Sequence, residues 1–527
     1  MTHVLLPTRA SGPLLLVVLA LALGTGFLLS GCGSDPGAQI PVDNSLVVAL
    51  EAAPTHLDPR VGNSQAASRV FEVMLNGLIT KDAVGNLLPD LAASWKILDE
   101  GARYRFYLRR DVTFHNGQKF SARDVVWTFQ SILDGTVTTP KRGAFERLDR
   151  VVEIDEHTVD FVMREPFGAM LVNLTSYMGI IPSGTDSETY NQHPIGTGPF
   201  KLVDKQPDQL TFERFDQYWA DPAALEHLVF REIPDSTVRA LELRKGSVQL
   251  VVNDLAPDVL PWFRENPGFQ VIQDPGSKYA YLGFNFNDPL LSRLVVRQAV
   301  VLAIDRQRLV DTLWQGLGVV TETVLPPGNW ARNDNLDPIP YDPEAARALL
   351  DEAGLLDPDF DGPEHRFSLV YKTSTDETAL LQAQIIQSML AEVGIGVEIR
   401  SYEFATFFSD IKKGNFQVFS LTWTGILDPD FYSLVLHSKS VPPNGANRGR
   451  YLNPEFDSLI DAGARVTELE ARRPYYLAAQ EIFRRDLPYV SLFTKFNFAV
   501  MPTQLKGYQN YPSGEFYSLR RVHWERN

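Results

Sequence analysis

Asp428-Pro429-Asp430 puts two carboxylates one residue apart, a spacing that could serve general acid–base chemistry. Asp-Pro also favours a turn, in which neighbouring acids sit solvated, and the turn is the stronger reading. Gly196-Thr197-Gly198 begins like a dinucleotide-binding fingerprint, but Lys201 stands where its third glycine belongs. The sequence has no Walker-type phosphate loop, no Gly-x-Ser-x-Gly elbow and no His-Glu-x-x-His helix. Its nine histidines are scattered without metal-ligand spacing. Cys32 is the only cysteine, so neither a disulfide nor a thiolate metal site is available within one chain. Nothing here gives a positive reason to expect an enzyme, a metal or a cofactor.

The elements around these residues belong to an exported globular protein. With 527 residues the chain exceeds a single hydrophobic core and suffices for two or three domains. A formal net charge of −16, with no basic cluster larger than pairs such as Arg109-Arg110, argues against nucleic acid or an acidic membrane surface as partner. At the start, Arg9 precedes an apolar run from Leu14 to Leu29 and then Ser30-Gly31-Cys32. These are the parts of an export signal, and the run is shorter than the roughly 20 residues that span a bilayer. The Leu29-Ser30-Gly31-Cys32 ending resembles the bacterial lipobox, whose cysteine is acylated and becomes the mature N-terminus; an ordinary signal peptide or membrane anchor is the other reading. The expected layout is therefore a signal over residues 1–31, Cys32 as lipidation site, and a short tether over 32–40.

Beyond the tether, strand and helix signals alternate, which predicts α/β domains. Arg103 to Arg109 alternates as a half-buried strand, with Tyr104, Phe106 and Leu108 on one face. Ser121 and Asp124 form a capping box for a following helix. One long helix is expected from Ser292 toward Gly316. Asp342-Pro343 opens a helix that Gly354 closes; Ser374 and Glu377 open another that Gly394 ends. A strand from Phe416 to Trp423 and helices near 454–464 and 470–486 complete the pattern.

A series of segments then reads together: Pro54-Thr55-His56-Leu57-Asp58-Pro59, Pro89 to Trp95, Phe114-His115-Asn116-Gly117, Ile195 to Phe200, Ala303 to Arg306, Tyr451 to Asp457 and Asp486 to Tyr489. In this order, behind a lipobox, they resemble the family 5 extracellular solute-binding proteins, which include dipeptide-, oligopeptide- and nickel-binding components of ATP-driven importers. The resemblance implies a two-lobed, periplasmic-binding-protein type II-like α/β fold with an extra inserted domain and a cleft between lobes. Domain I would be 41–80, 196–277 and 495–527; domain II, inserted on that lobe, 81–195; domain III, the second lobe, 278–494. It further implies a monomer that captures a peptide or similar polar solute and delivers it to an ABC permease and ATPase complex. A non-peptide solute, sugar-derived or opine-like, is the alternative, as is a receptor that reports its ligand to an envelope sensor; an envelope enzyme is a third, weaker reading.

Peptide-binding members anchor the ligand's amino group with an aspartate shortly after a Trp-containing strand. Here that stretch is Thr422-Trp423-Thr424-Gly425-Ile426-Leu427-Asp428, with Ile426 about where the aspartate belongs. The expected roles are therefore Trp423 as aromatic wall, Asp428 as polar anchor or loop former, and Asn285 as a cleft donor. Arg448 is the candidate for a ligand carboxylate, because guanidinium binds carboxylate bidentately. Gly196 and Gly198 are expected to allow a tight backbone passage near the hinge.

Overall fold

The computed structural model describes residues 43–175, 178–359 and 362–525, so the export signal, Cys32 and the 32–40 tether lie outside the described residues. The first lobe begins with strand β1 (Ser45–Leu50) and helix α1 (Gln65–Met74), whose N-cap Ser64 accepts from the Ala67 N–H at 3.1 Å. An antiparallel four-stranded sheet follows: β2 (Ala92–Leu98), β3 (Arg103–Leu108), β4 (Leu148–Asp155) and β5 (Thr158–Met163), ordered β2-β3-β5-β4. The alternation read in β3 is realised, with Tyr104, Phe106 and Leu108 buried. Helix α2 (Ala122–Leu133) packs on this sheet behind the expected capping box, Asp124 accepting from the Ser121 N–H at 2.8 Å.

The chain then returns to the first lobe through β6 (Phe200–Lys205), β7 (Gln209–Arg214), β8 (His227–Glu232) and β9 (Leu250–Val252). It leaves along β10 (Phe269–Phe284), a 16-residue strand. The helix expected from Ser292 is two, α3 (Leu294–Leu302) and α4 (Arg306–Trp314). Asp305 restarts the helix by accepting from the Arg308 N–H at 3.0 Å, while Ser292 donates to Pro289 O instead of capping. Then come α5 (Pro343–Glu352), β11 (Phe367–Ser374), α6 (Glu377–Ala391), β12 (Ile395–Tyr402), α7 (Phe404–Lys413) and β13 (Val418–Trp423). The cap of α6 is Asp376, not Ser374, which stays in β11. Finally α8 (Pro454–Arg465), α9 (Leu469–Asp486) and β14 (Tyr489–Pro502) bring the chain back.

Eleven strands share one sheet, ordered β12-β11-β13-β10-β14-β9-β1-β8-β7-β6, with the short strand Gly318–Val320 beside β14. Among the described residues, β10 and β14 are the strands that cross between lobes, paired antiparallel from Phe269–Pro502 to Gly283–Tyr489. On one side of this crossing lie cores built from Leu46, Val48, Phe71 and Phe230; on the other, cores built from Leu282, Val300, Leu369 and Phe456. The inserted sheet has a core of its own, including Phe106, Phe129 and Phe161. The fold is thus two-lobed, with an extra domain on the first lobe.

Along the crossing the pairing shifts register twice, between Pro275 and Lys278 and again between Ala280 and Tyr281. Such an irregularity bends a strand and loosens the ladder locally. Gly276 sits in the first break, and a Cβ there would meet Lys495 O at 2.6 Å and Asn497 Oδ1 at 3.0 Å. We expect Gly276→Ala to destabilise the protein by about 1–3 kcal/mol through overpacking of the crossing strands, measured by urea denaturation; an unchanged midpoint would contradict this reading of the break.

Candidate ligand-binding site

Parallel strands β11 and β13 end on the side of the second lobe that faces the first, and Trp423 is the last residue of β13. Its half-buried ring stacks on Tyr281 of β10, with centroids 6.1 Å apart and planes within 5°. Phe431 closes the far edge at 5.2 Å. Tyr281 continues the stack to Tyr279 and packs against Tyr489, so the wall is anchored in both crossover strands. Burial pushes the Tyr281 hydroxyl up to about 12, keeping it a neutral donor and acceptor.

Arg448 lies against this wall. Its guanidinium carbon is 4.3 Å from the Trp423 ring centroid and 5.0 Å from that of Phe408 on α7, and Nη1 donates to Tyr281 Oη at 3.0 Å. The side chain is only 7% exposed, yet among the described residues no carboxylate pairs with it. Burying a cation without a counter-charge is costly, and aromatic faces offset only part of that cost. The loop carrying Arg448 is held rigidly: Asn447 donates to Leu436, His437 and Tyr451 carbonyls and accepts from the Tyr451 N–H. Gly449 lies against Phe284 O, leaving no room for a side chain. The loop therefore presents a preorganised guanidinium beside an aromatic face, an arrangement whose chemistry suits a carboxylate.

Two expected ligand contacts are used inside the protein. Both oxygens of Asp428 accept from Arg472, at 2.8 and 3.0 Å, in a pair with 9% and 1% exposure. Asp428 also accepts from the Asp430 N–H at 2.8 Å, so in this arrangement its carboxylate is engaged in forming the loop. Asn285 donates to Gly414 O and Phe416 O and accepts from the Asn287 N–H, which leaves it no cleft-facing donor. Its place after β10 makes it a strand-end clamp. Ile426 is buried in the same core as Tyr281, an apolar residue with no means of holding an amine.

Gly196 and Gly198 pass close to another backbone, that of Met74. A Cβ on either would overlap Met74 at the end of α1. His115 clasps both, Nδ1 accepting from the Gly196 N–H (3.2 Å) and Nε2 donating to Gly198 O (3.0 Å). Burial lowers this imidazole to about 4, so it stays neutral. These glycines lie where the inserted sheet meets the first lobe, while the strands that run between the lobes shift register at Gly276. A groove of about 840 Å³ adjoins this junction, lined by Pro54, His115, His193, Lys201 and Phe230 and by no residue of the second lobe.

Residues 86–443 match the sequence model of the bacterial extracellular solute-binding proteins, family 5. The chain belongs to this family. Heme-binding protein A of Haemophilus influenzae is 30% identical over 92% of this chain and 93% of its own. The dipeptide-binding protein of Pseudomonas aeruginosa is 29% identical over 89% of this chain and 93% of its own. Among solved structures, the periplasmic binding protein DppA of Helicobacter pylori, in complex with the peptide STSA, superposes with a TM-score of 0.76 at 26% identity, covering 92% of this chain and 98% of that one. As a family 5 solute-binding protein, the chain belongs to the substrate-binding components of ABC importers, whose members are periplasmic or extracellular.

In this family 5 protein, Tyr281, Phe408 and Arg472 escaped the sequence reading. Tyr281 and Arg448 are 167 residues apart, and only the assembled sheet brings them together. The signals available were the Tyr279-Ala280-Tyr281 alternation and the Phe404/Phe408 spacing of one helical turn, both of which read equally as core. We expect Asp428→Asn to cost about 3–5 kcal/mol of stability by leaving Arg472 buried without its carboxylate, read by chemical denaturation. A stability loss below about 1 kcal/mol would return Asp428 to the list of ligand contacts.

Proposed function

We propose that this protein is the substrate-binding lipoprotein of an ABC importer and that its cargo is a peptide or related small solute whose carboxylate is received by Arg448. The observation that carries the reading is the buried Arg448 guanidinium, braced by Trp423, Phe408 and Tyr281 and lacking a carboxylate partner. A bound carboxylate would supply the missing counter-charge. The named dipeptide-binding relative and the peptide-bound structural neighbour support the peptide class. Acylation of Cys32, the tether over 32–40 and a monomeric state complete the proposal, together with a permease and ATPase as membrane partners and no cofactor, metal or catalytic role. The division into domain I (41–80, 196–277, 495–527), domain II (81–195) and domain III (278–494) is supported by the separate cores on the three sets of elements.

Ile426 favours a second cargo. An apolar residue stands in that place and Asp428 is committed to Arg472, so neither of these two positions offers a carboxylate to a free amine beside Trp423. An amine-free or amine-blocked acid, opine-like or sugar-derived, fits the same guanidinium. We expect Arg448→Ala to weaken binding of a carboxylate solute roughly thirty-fold or more, since truncating one partner of a buried charge pair costs about 2–5 kcal/mol. Titration calorimetry with di- and tripeptides, their C-terminal amides and their N-acetyl forms checks this. Amidation should mimic the Arg448→Ala loss and N-acetylation should change affinity less than about threefold; tight binding of the amide to the parent protein would defeat the proposal.

A further inference from the structure

The two lobes touch at a second place besides the hinge. Helix α8 ends at Arg465, so its last carbonyls have no partner within the helix. Arg472 Nε donates to Gly463 O at 3.2 Å, within the second lobe. Ala464 O is satisfied from the other lobe, by the Gly168 N–H at 2.8 Å. Gly168 follows β5 and is flanked by Phe167 and Ala169, both in the core of the inserted sheet; α8 contributes Phe456 and Ile460 to a core of the second lobe. Neither core shares a residue with the other.

The approach is close enough to require glycine on one side. A Cβ on Gly168 would overlap Val466 O and stand 3.1 Å from the Val466 carbonyl carbon and 3.2 Å from Arg472 Nε. Gly168 does not have the left-handed backbone that would itself demand glycine, so the constraint is the neighbouring lobe. Next to it, a Cβ on Gly101 would meet Thr467 Cγ2 at 2.6 Å and Pro166 Cβ at 3.6 Å. Each side is braced from within before they meet. Tyr104 Oη donates to Phe167 O at 2.7 Å and Arg147 stacks over the Phe167 ring at 4.6 Å. Across the seam, Asp428 holds Arg472. The polar groups exchanged are one backbone donor and one backbone acceptor, which water satisfies equally well when the seam parts.

We propose that the Gly168 seam against Ala464–Thr467 is a closure latch, made when the lobes close about the β10/β14 hinge and broken when they open. It acts as a positioning device for binding: a contact present only in the closed state raises the population of that state, and apparent affinity scales with the binding-competent fraction. It also explains why the segment after Trp423 carries Asp428, since that carboxylate braces the Arg472 side of the seam.

The test needs no ligand and so stands apart from the identity of the cargo. In the mature chain carrying Cys32→Ser, Pro166→Cys and Thr467→Cys place two thiols across the seam, and a short bismaleimide reports how often it closes. The latch predicts a crosslink whose rate falls at least tenfold when Gly168→Val is added, with the thermal midpoint by circular dichroism unchanged within a few degrees. Thr467→Trp, crowding the seam from the second lobe in a chain without the cysteine pair, should enlarge the radius of gyration in small-angle scattering. Parental crosslinking in the Gly168→Val protein would overturn the latch. So would loss of folding in both Gly168→Val and Thr467→Trp, because the seam would then be part of the fold and not a separable contact.

Discussion

Everything in this molecule hangs on the antiparallel pairing of β10 with β14. Among the described residues, these are the strands that continue from one lobe's half of the sheet into the other's, and each supplies side chains to cores on both sides. Two consequences follow from one ladder. The lobes are covalently and hydrogen-bond continuous, so they cannot drift apart. They are also joined across a narrow waist in which the register slips between Pro275 and Lys278, so rotation there disturbs few bonds. A stiff pair of lobes on a soft waist is the mechanical requirement for capture between two surfaces.

The electrostatic design complements the mechanical one. Asp428 and Arg448 stand close in sequence and had equal claim as ligand contacts, but the fold treats them oppositely. Asp428 is neutralised inside the second lobe by Arg472, whereas Arg448 is buried against Trp423, Phe408 and the Tyr281 hydroxyl with no acid. A low-dielectric wall that holds one sign of charge unmatched is selective by omission: a solute that brings the opposite charge recovers the desolvation cost, and one that brings the same charge meets repulsion. In the proposed reading, the carboxylate is the feature of the cargo that the second lobe reads, and the aromatic faces accept the apolar body that accompanies it.

The gross architecture was legible in the residues. Alternation in Arg103–Leu108, the Ser121/Asp124 box and the Asp342-Pro343 start all formed as read, because each is fixed by contacts within a few residues. The misreadings share a different cause. Asp305 split a helix whose apolar pattern runs on through Leu309, since a local cap outweighed periodicity. Asn285, expected as a cleft donor, and Asp428, expected as polar anchor or loop former, both engage partners, Gly414, Phe416 and Arg472, that lie 44 to 131 residues away. Gly196 and Gly198 form a tight backbone passage, and its neighbours are Met74 and His115. Arg448 and Trp423 lie against each other, and what the residues alone did not disclose is that no carboxylate pairs with Arg448 among the described residues.

The account stands or falls on what the cleft holds. Native mass spectrometry of the protein released gently from its own cell envelope, followed by denaturation and identification of any small molecule carried with it, addresses that directly. The account predicts a single co-purified solute bearing at least one carboxylate. A bound solute with no anionic group would contradict it.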